Sequence, residues 1–224
     1  MWENLRAVEI EPSLYAADFS RLGEQIDVLL DAGVRVFHFD VGDGHFVEPV
    51  TIGPIVLESI ADRVHDRGAV LDCHLMVDDP ERHIPQIARA GGDSVTFHVE
   101  VRPDPSATLE LARKHGLGVG IACNPGTPVS ALAEAASRGA DLALCMSIEP
   151  GYSGQKFMPD ALPRIRELRD ALPPEIHVQV DGGVGQDNVR EVHEAGANLL
   201  VAGSAIFGRE DLAWAYRQLL QALS

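Results

Sequence analysis

The stretch VRVFHFDVGDGHF, residues 34–46, begins as an apolar run of β-branched and aromatic residues and ends in a polar, glycine-rich loop. Side chains alternate between the two faces of a strand, so His38 and Asp40 point to the same face. Phe37 and Phe39 then occupy the opposite, apolar face. An imidazole and a carboxylate at the end of a buried strand form half of a metal site, or equally a buried hydrogen-bonded pair. This stretch alone leaves both interpretations open.

The same alternation of a short apolar segment and an amphipathic stretch repeats along the chain. Eight strands are predicted at residues 8–12, 34–40, 69–75, 93–98, 117–122, 141–147, 176–181 and 198–203. Helical periodicity lies between them, for example at residues 21–32, 80–90, 159–171 and 186–195, and several such stretches end in a glycine that forms the C-cap. Eight strand–helix units predict one α/β domain over residues 1–224, a single (β/α)8 TIM barrel. An open doubly wound sheet is the alternative that fits less well.

Composition and charge exclude several classes of partner. The chain has 34 acidic and 18 basic residues, a formal charge of −16, which disfavours nucleic acid and anionic membranes. No apolar run approaches the roughly 20 residues that span a bilayer, and the first ten residues lack the pattern of an export signal. Cys73, Cys123 and Cys145 lie far apart in apolar runs, which indicates buried thiols in a reducing compartment. We therefore expect a cytoplasmic protein with no nucleic-acid or membrane partner.

Four polar residues end predicted strands two, three and seven, at the face of a barrel where the chemistry lies. A lone buried histidine is more often a satisfied polar group than a ligand. Two carboxylates buried without a cation would be costly, however, which favours a site for one divalent metal ion. The mixed nitrogen and oxygen set suits Zn²⁺, Mn²⁺, Fe²⁺ or Co²⁺. The four residues are His38, Asp40, His74 and Asp181.

Three glycine-rich loops follow predicted strands six, seven and eight. They are EPGYSGQ at residues 149–155, DGGV at 181–184 and AGSAI at 202–206. Glycines let backbone N–H groups approach an anion closely, and loops at these places in a barrel, with a short extra helix, often bind phosphate. One such loop is usually only a tight turn, but three together predict a phosphate site. Lys156 is the only nearby lysine, and we expect it to be solvated.

Seven motifs in these segments occur in an order that indicates a family. They are PS with ADF (12–13, 17–19), HFDVGDGHF (38–46), CHLMV (73–77), TFHVE (96–100), PGYSGQ (150–155), VDGG (180–183) and VAGSAIF (201–207). Together they resemble the ribulose-phosphate 3-epimerase family over nearly the whole chain. The resemblance implies a barrel of the ribulose-phosphate-binding type that assembles as a homo-oligomer.

The resemblance also implies roles for particular residues. The metal would be held by His38, Asp40, His74 and Asp181, with the two aspartates as the acid–base pair. The implied substrate contacts are Ser13, His74, Met76, Met146, Gly151, Tyr152, Ser153, Gly154, Gly182, Gly183, Gly203 and Ser204. The chemistry agrees, because inverting a carbon beside a ketone requires one carboxylate to remove a proton from one face and another to return one to the opposite face.

The expected function is metal-dependent interconversion of D-ribulose 5-phosphate and D-xylulose 5-phosphate through an enediolate. One alternative keeps the chemistry and changes the sugar phosphate, for example to D-allulose 6-phosphate. Another is a phosphate-barrel lyase such as a decarboxylase, which generally carries an Asp-x-Lys pair, but no lysine follows Asp40 or lies at a strand end. A non-catalytic barrel would be expected to lose a metal ligand or an aspartate, and none is lost.

The chain departs from the family at several positions near the expected pocket. Gly42 stands where the family usually has methionine, Glu149 where it has asparagine, and Tyr15 within a usual leucine-serine pair. One interpretation is neutral drift, with Tyr15 refilling the volume lost at Gly42. The other is a changed sugar phosphate, and Glu149 should weaken binding of a dianion unless its side chain points away.

Overall fold

The computed structural model describes residues 5–223, in which strands and helices alternate. The strands are β1 (Glu9–Pro12), β2 (Val36–Gly42), β3 (Val70–Met76), β4 (Ser94–His98), β5 (Gly118–Cys123), β6 (Leu142–Met146), β7 (His177–Asp181) and β8 (Leu199–Ala202). The helices are α1 (Leu22–Asp31), α2 (Pro54–His65), α3 (Pro80–Arg89), α4 (Ser106–Lys114), α5 (Val129–Ala136), α6 (Ala161–Ala171), α7 (Val189–Glu194), α8 (Ser204–Phe207) and α9 (Leu212–Leu223). The predicted domain over 1–224 and the expectation for the first ten residues include positions 1–4 and 224, which lie outside the described residues.

All the strands pair in parallel, in the order β1-β8-β7-β6-β5-β4-β3-β2. A further parallel bridge between Ser13 and His38 joins the end of β1 to β2 and so brings the two edges of the sheet together. The prediction of a (β/α)8 TIM barrel is therefore confirmed, and the open doubly wound sheet is wrong. Because the strands are parallel, all their carboxyl ends open at one face of the barrel.

Strand positions agree closely with the prediction, whereas two helices begin later than expected. Helix α6 begins at Ala161, two residues after the start that the periodicity predicts. Helix α7 begins at Val189 because the side chain of Asn188 accepts a hydrogen bond from the Gly185 N–H (2.8 Å) and forms a turn there. The glycine caps are confirmed at Gly33, whose φ of 98° is accessible to glycine at little cost.

The interior of the protein has apolar parts and a polar part. Phe37 and Phe39 are fully buried in the large apolar core between the sheet and the helices. A smaller apolar cluster, which includes Leu144 and Leu199, lies apart from that core. Polar side chains meet across the barrel, where Gln179 on β7 donates to Glu11 on β1 (2.5 Å) and to Asp72 on β3 (2.7 Å). The interior beneath the strand ends is thus a hydrogen-bonded polar layer.

The three cysteines are free and buried, as the sequence indicated. Within residues 5–223, no helix is both long enough and apolar enough to cross a membrane.

Candidate active site

Four side chains converge at the carboxyl ends of β2, β3 and β7. The β2–β3 register sets Asp40 opposite His74, and the β6–β7 register sets Met146 opposite Asp181 at the same level. Asp40 Oδ1 lies 3.2 Å from both His38 Nε2 and His74 Nδ1, and His74 Nδ1 lies 3.8 Å from Asp181 Oδ2. One ligand atom from each of the four residues falls within 4.8 Å of the others. The four residues singled out in the sequence therefore come together in one cluster.

The donor set of this cluster fits a divalent cation. Both imidazoles are fully buried and both carboxylates nearly so, with side-chain exposures of 6% for Asp40 and 16% for Asp181. His38 Nε2 faces the cluster and lies 3.2 Å from Asp40 Oδ1, but within residues 5–223 it has no contact with the geometry of a hydrogen bond. A buried nitrogen without a partner and two adjacent buried carboxylates are each stabilised by a cation between them. His38, Asp40, His74 and Asp181 could therefore hold one.

The two aspartates differ in their proton affinity. Although burial alone would raise the pKa of Asp40, the charge of His38 and the close contacts with His38 and His74 hold this pKa well below its usual range. Burial and the negative charge of Asp40 raise the pKa of Asp181 to about 7. At neutral pH, one carboxyl group is therefore ionised while its neighbour readily holds a proton. Such a separation is typical of a base and an acid that work as a pair.

Asp72 orients His38 from below. Its Oδ2 lies 3.1 Å from His38 Nδ1, and its Oδ1 accepts a hydrogen bond from Ser94 (2.5 Å). Burial would lower the pKa of His38, but Asp40 and Asp72 raise it well above its ordinary value. Glu11 also lies near, so that Glu11, His38 and Asp72 form a second group of potential ligands. His38 Nδ1 already pairs with Asp72, and we interpret this group as the layer that orients His38.

Sequence reasoning missed several residues in this layer. Asp72 lies two residues before His74 and therefore on the same face of β3, a signal that could have identified it. His98 ends β4 and was given no role, yet its Nε2 lies 2.8 Å from His74 Nε2. Glu100 follows, with Oε2 3.2 Å from His98 Nδ1. No local pattern indicates that these two residues contact the cluster through a residue on another strand.

A cleft that is partly open to solvent lies above the cluster. Its wall contains Asp40 and Asp181 together with all but one of the predicted substrate contacts. The exception is His74, which lies fully buried beneath the cleft. Tyr15 and Ile148 also line it and were not predicted as contacts. The predicted contacts on the wall are Ser13, Met76, Met146, Gly151, Tyr152, Ser153, Gly154, Gly182, Gly183, Gly203 and Ser204.

The glycine-rich loops meet at one side of the cleft. Gly183 has a φ of 64°, and a Cβ there would lie 2.3 Å from the Phe157 backbone nitrogen. A Cβ at Gly203 would lie 3.3 Å from Ser153 Oγ, so the loops after β6 and β8 also approach closely. Only glycine permits this convergence of backbone at Gly183. Lys156 is exposed and does not line the cleft, in agreement with the expectation that it is solvated.

The structure resolves two of the departures from the family. A Cβ at Gly42 would lie 2.8 Å from Val47 Cγ2 and 3.0 Å from Thr51 Cγ2, so the following loop fills this space. The nearest atoms therefore belong to the loop after β2, whereas one interpretation of the sequence placed Tyr15 there. Glu149 is exposed and is not part of the cleft wall.

The barrel and the carboxylate–imidazole cluster at its mouth define the class as a (β/α)8-barrel enzyme. Residues 9–207 match the model of the ribulose-phosphate 3 epimerase family, and the chain belongs to that family. It is 43% identical to ribulose-phosphate 3-epimerase from Escherichia coli K12, with 90% of each chain covered. It is 40% identical to the enzyme of the same name from Candida glabrata, over 90% of this chain and 87% of the relative. The protein is thus a carbohydrate epimerase, of the isomerase class.

Among solved structures, 3-hexulose-6-phosphate synthase from Salmonella typhimurium superposes with a TM-score of 0.72 at 17% identity. The match covers 96% of this chain and 98% of that one. At this identity, the likeness shows the shared barrel fold alone.

Proposed function

We propose that the protein interconverts D-ribulose 5-phosphate and D-xylulose 5-phosphate, with one divalent metal ion bound by His38, Asp40, His74 and Asp181. The observation that carries the proposal is the pair of neighbouring aspartates with opposite proton affinities at the floor of the cleft. The family to which the chain belongs supports the same reaction.

Asp40 and Asp181 would carry the protons. Ionised Asp40 removes the proton from the carbon beside the ketone, and protonated Asp181 returns one to the opposite face of the flat enediolate. In the reverse direction the two residues exchange roles, as a reversible inversion requires. Ser13 donates a hydrogen bond to Asp40 Oδ2 (2.6 Å) and thereby holds the carboxylate in place.

The bound metal ion would supply positive charge that stabilises the enediolate. The two nitrogen and two oxygen ligands suit Zn²⁺, Mn²⁺, Fe²⁺ or Co²⁺. Asp72 would orient His38 through its Nδ1, as partners of metal-binding histidines commonly do.

The sugar phosphate would be held by its phosphate group at the glycine-rich loops. Gly182, Gly183 and Gly203 line the cleft, and Ser204 begins the short helix α8. Ser147 donates hydrogen bonds to the carbonyl oxygens of Asp181 (2.9 Å) and Gly182 (2.6 Å), which fixes the loop after β7 next to the acid. Met76 and Met146 would form the apolar wall against the sugar.

The test is epimerisation of each ketose phosphate by the wild type and by the variants Asp40→Asn and Asp181→Asn. Each variant should lose at least about 100-fold in turnover, because it removes one of the two proton carriers. Asp170→Asn on the exposed face of α6 provides a control of the same chemistry outside the cleft. Circular dichroism should show the same fold in all variants. Turnover retained by either active-site variant would refute the two-carboxylate mechanism.

A second candidate substrate is D-allulose 6-phosphate, because the cleft differs from the family at Tyr15. Tyr15 lines the cleft and places a phenol where the family usually has a smaller side chain. A panel of both substrates, assayed with and without chelator, separates the two epimerases. A panel without any epimerisation after metal is restored would favour the lyase or the non-catalytic barrel.

We further propose that the enzyme acts in the cytoplasm as a homo-oligomer. The three free, buried cysteines fit a reducing compartment. Val50 and Ile55, which are about four-fifths exposed, offer apolar surface for association. Sedimentation of the purified protein tests the assembly, and a monomer at micromolar concentration would contradict it.

A further inference from the structure

A chain of hydrogen-bonding side chains leads from His74 away from the cleft. His74 Nδ1 faces Asp40 and Asp181, while its Nε2 lies 2.8 Å from His98 Nε2. His98 Nδ1 lies 3.2 Å from Glu100 Oε2. Both imidazoles are fully buried, and the Phe46 ring packs against His98 at a centroid distance of 4.6 Å. These contacts connect His74, a member of the four-residue cluster, through His98 to the carboxylate of Glu100.

Hydrogen bonds to Oε1 hold the Glu100 side chain in one orientation. Its Oε1 accepts hydrogen bonds from the Asn124 backbone N–H (2.8 Å) and from the Thr127 hydroxyl. Its Oε2 is therefore the atom that meets His98. Burial would raise the pKa of Glu100, but the hydrogen bonds from His98, Thr127 and Asn124 lower it to about 2, so the group is a carboxylate that only accepts hydrogen bonds.

This geometry decides where each imidazole carries its hydrogen. A neutral imidazole has one N–H, and exactly one hydrogen lies between two ring nitrogens 2.8 Å apart. Because Glu100 accepts, His98 carries its hydrogen on Nδ1 and leaves Nε2 bare. His74 must then carry its hydrogen on Nε2 and leave Nδ1 bare. The opposite tautomer of His74 would place an N–H on the atom 3.2 Å from Asp40 Oδ1, where it would compete with a metal ion.

We propose that Glu100 and His98 are positioning residues that select the metal-binding tautomer of His74. The inference rests on the proposed role of His74 as a metal ligand. Asp72 sets the tautomer of His38 by direct contact with its Nδ1, whereas Glu100 sets the tautomer of His74 through a second imidazole. Partners of this kind typically change metal affinity by 10- to 100-fold.

The isosteric variant Glu100→Gln should reverse the relay. The Asn124 N–H and the Thr127 hydroxyl keep the amide oxygen on their side, so the amide NH₂ faces His98 and donates to its Nδ1. His98 then carries its hydrogen on Nε2 and donates to His74 Nε2. His74 must in turn place its hydrogen on Nδ1, toward Asp40. Side-chain ¹⁵N NMR of the metal-free protein reads these tautomers directly, without any assay of activity.

The experiment combines that spectrum with Zn²⁺ affinity, measured by competition with a chromophoric chelator. Expected results for Glu100→Gln are exchanged tautomers at His74 and His98 and a Zn²⁺ affinity about 10- to 100-fold weaker. Glu81→Gln is the matched control, because Glu81 is also held by a threonine hydroxyl and lies outside the relay. It should leave both readouts unchanged.

The outcomes separate this inference from the proposed function. Unchanged tautomers or an unchanged Zn²⁺ affinity in Glu100→Gln would overturn the inference. The metal site would still be supported if the wild type bound Zn²⁺ and His74→Ala did not. Wild-type protein that bound no Zn²⁺ and no Mn²⁺ would refute the metal site itself and the inference with it.

Discussion

The substitution Asp181→Asn should change how the stability of the metal-free protein depends on pH. Burial and the charge of Asp40 raise the pKa of Asp181 to about 7, compared with an ordinary value of 3.8. A group whose pKa is higher in the folded state stabilises that state fully below its unfolded pKa, and the contribution is lost as the pH rises through the folded pKa. A shift of about three units corresponds to roughly 4 kcal/mol over the whole range. Between pH 5 and pH 8, roughly 2–3 kcal/mol of this should be lost.

The assay is urea unfolding in the presence of chelator, followed by circular dichroism from pH 5 to pH 8. The asparagine side chain has similar shape and cannot ionise, so the difference between wild type and variant isolates this one carboxyl group. The exposed Asp170→Asn substitution is the control for a general change in charge. Parallel stability curves for the wild type and Asp181→Asn from pH 5 to pH 8 would show that the pKa of Asp181 is not raised in the folded protein.

Three further results are expected. Zn²⁺ affinity should weaken by up to about tenfold per pH unit below pH 7, because a proton on Asp181 competes with the ion for the carboxylate. Calorimetry across this pH range measures the effect, and a flat profile would contradict it. Asp72→Asn should weaken Zn²⁺ binding by about 10- to 100-fold, because His38 Nδ1 loses its carboxylate partner. Competition with a chelator measures the affinity, and a wild-type value would contradict this role of Asp72. Gly42→Ala should lower the free energy of unfolding by roughly 1–3 kcal/mol, because its Cβ would overlap Val47; urea midpoints equal to wild type would show that the loop yields freely.

Local patterns predicted the barrel and the residues at its mouth. The period-two alternation in β2 sets His38 and Asp40 on one face and phenylalanines on the other, whatever surrounds the strand. Parallel strands joined by helices must also open at a common face, so side chains that end different strands meet there. For this reason the cluster of His38, Asp40, His74 and Asp181 could be predicted before its distances were known.

Boundaries and packing depended on contacts between distant segments. Helix α7 begins late because Asn188 pairs with Gly185, a choice that helical periodicity alone does not reveal. The space above Gly42 is filled by Val47 and Thr51 because the loop after β2 turns back onto the strand. The sequence suggested Tyr15 instead, since both positions depart from the family pattern.

By itself, the sequence determined the fold, the strand-end positions and the types of side chain that meet there, because those follow from periodicities a few residues long. Only the tertiary structure decided how these groups behave chemically. The raised pKa of Asp181 arises from a carboxylate on β2, far away in the chain, and from burial that no single segment provides. Likewise, Glu100 acts on His74 through His98 only because β3, β4 and the loop after β5 lie side by side. Proton affinity and tautomer depend on distance in space, which local sequence does not specify.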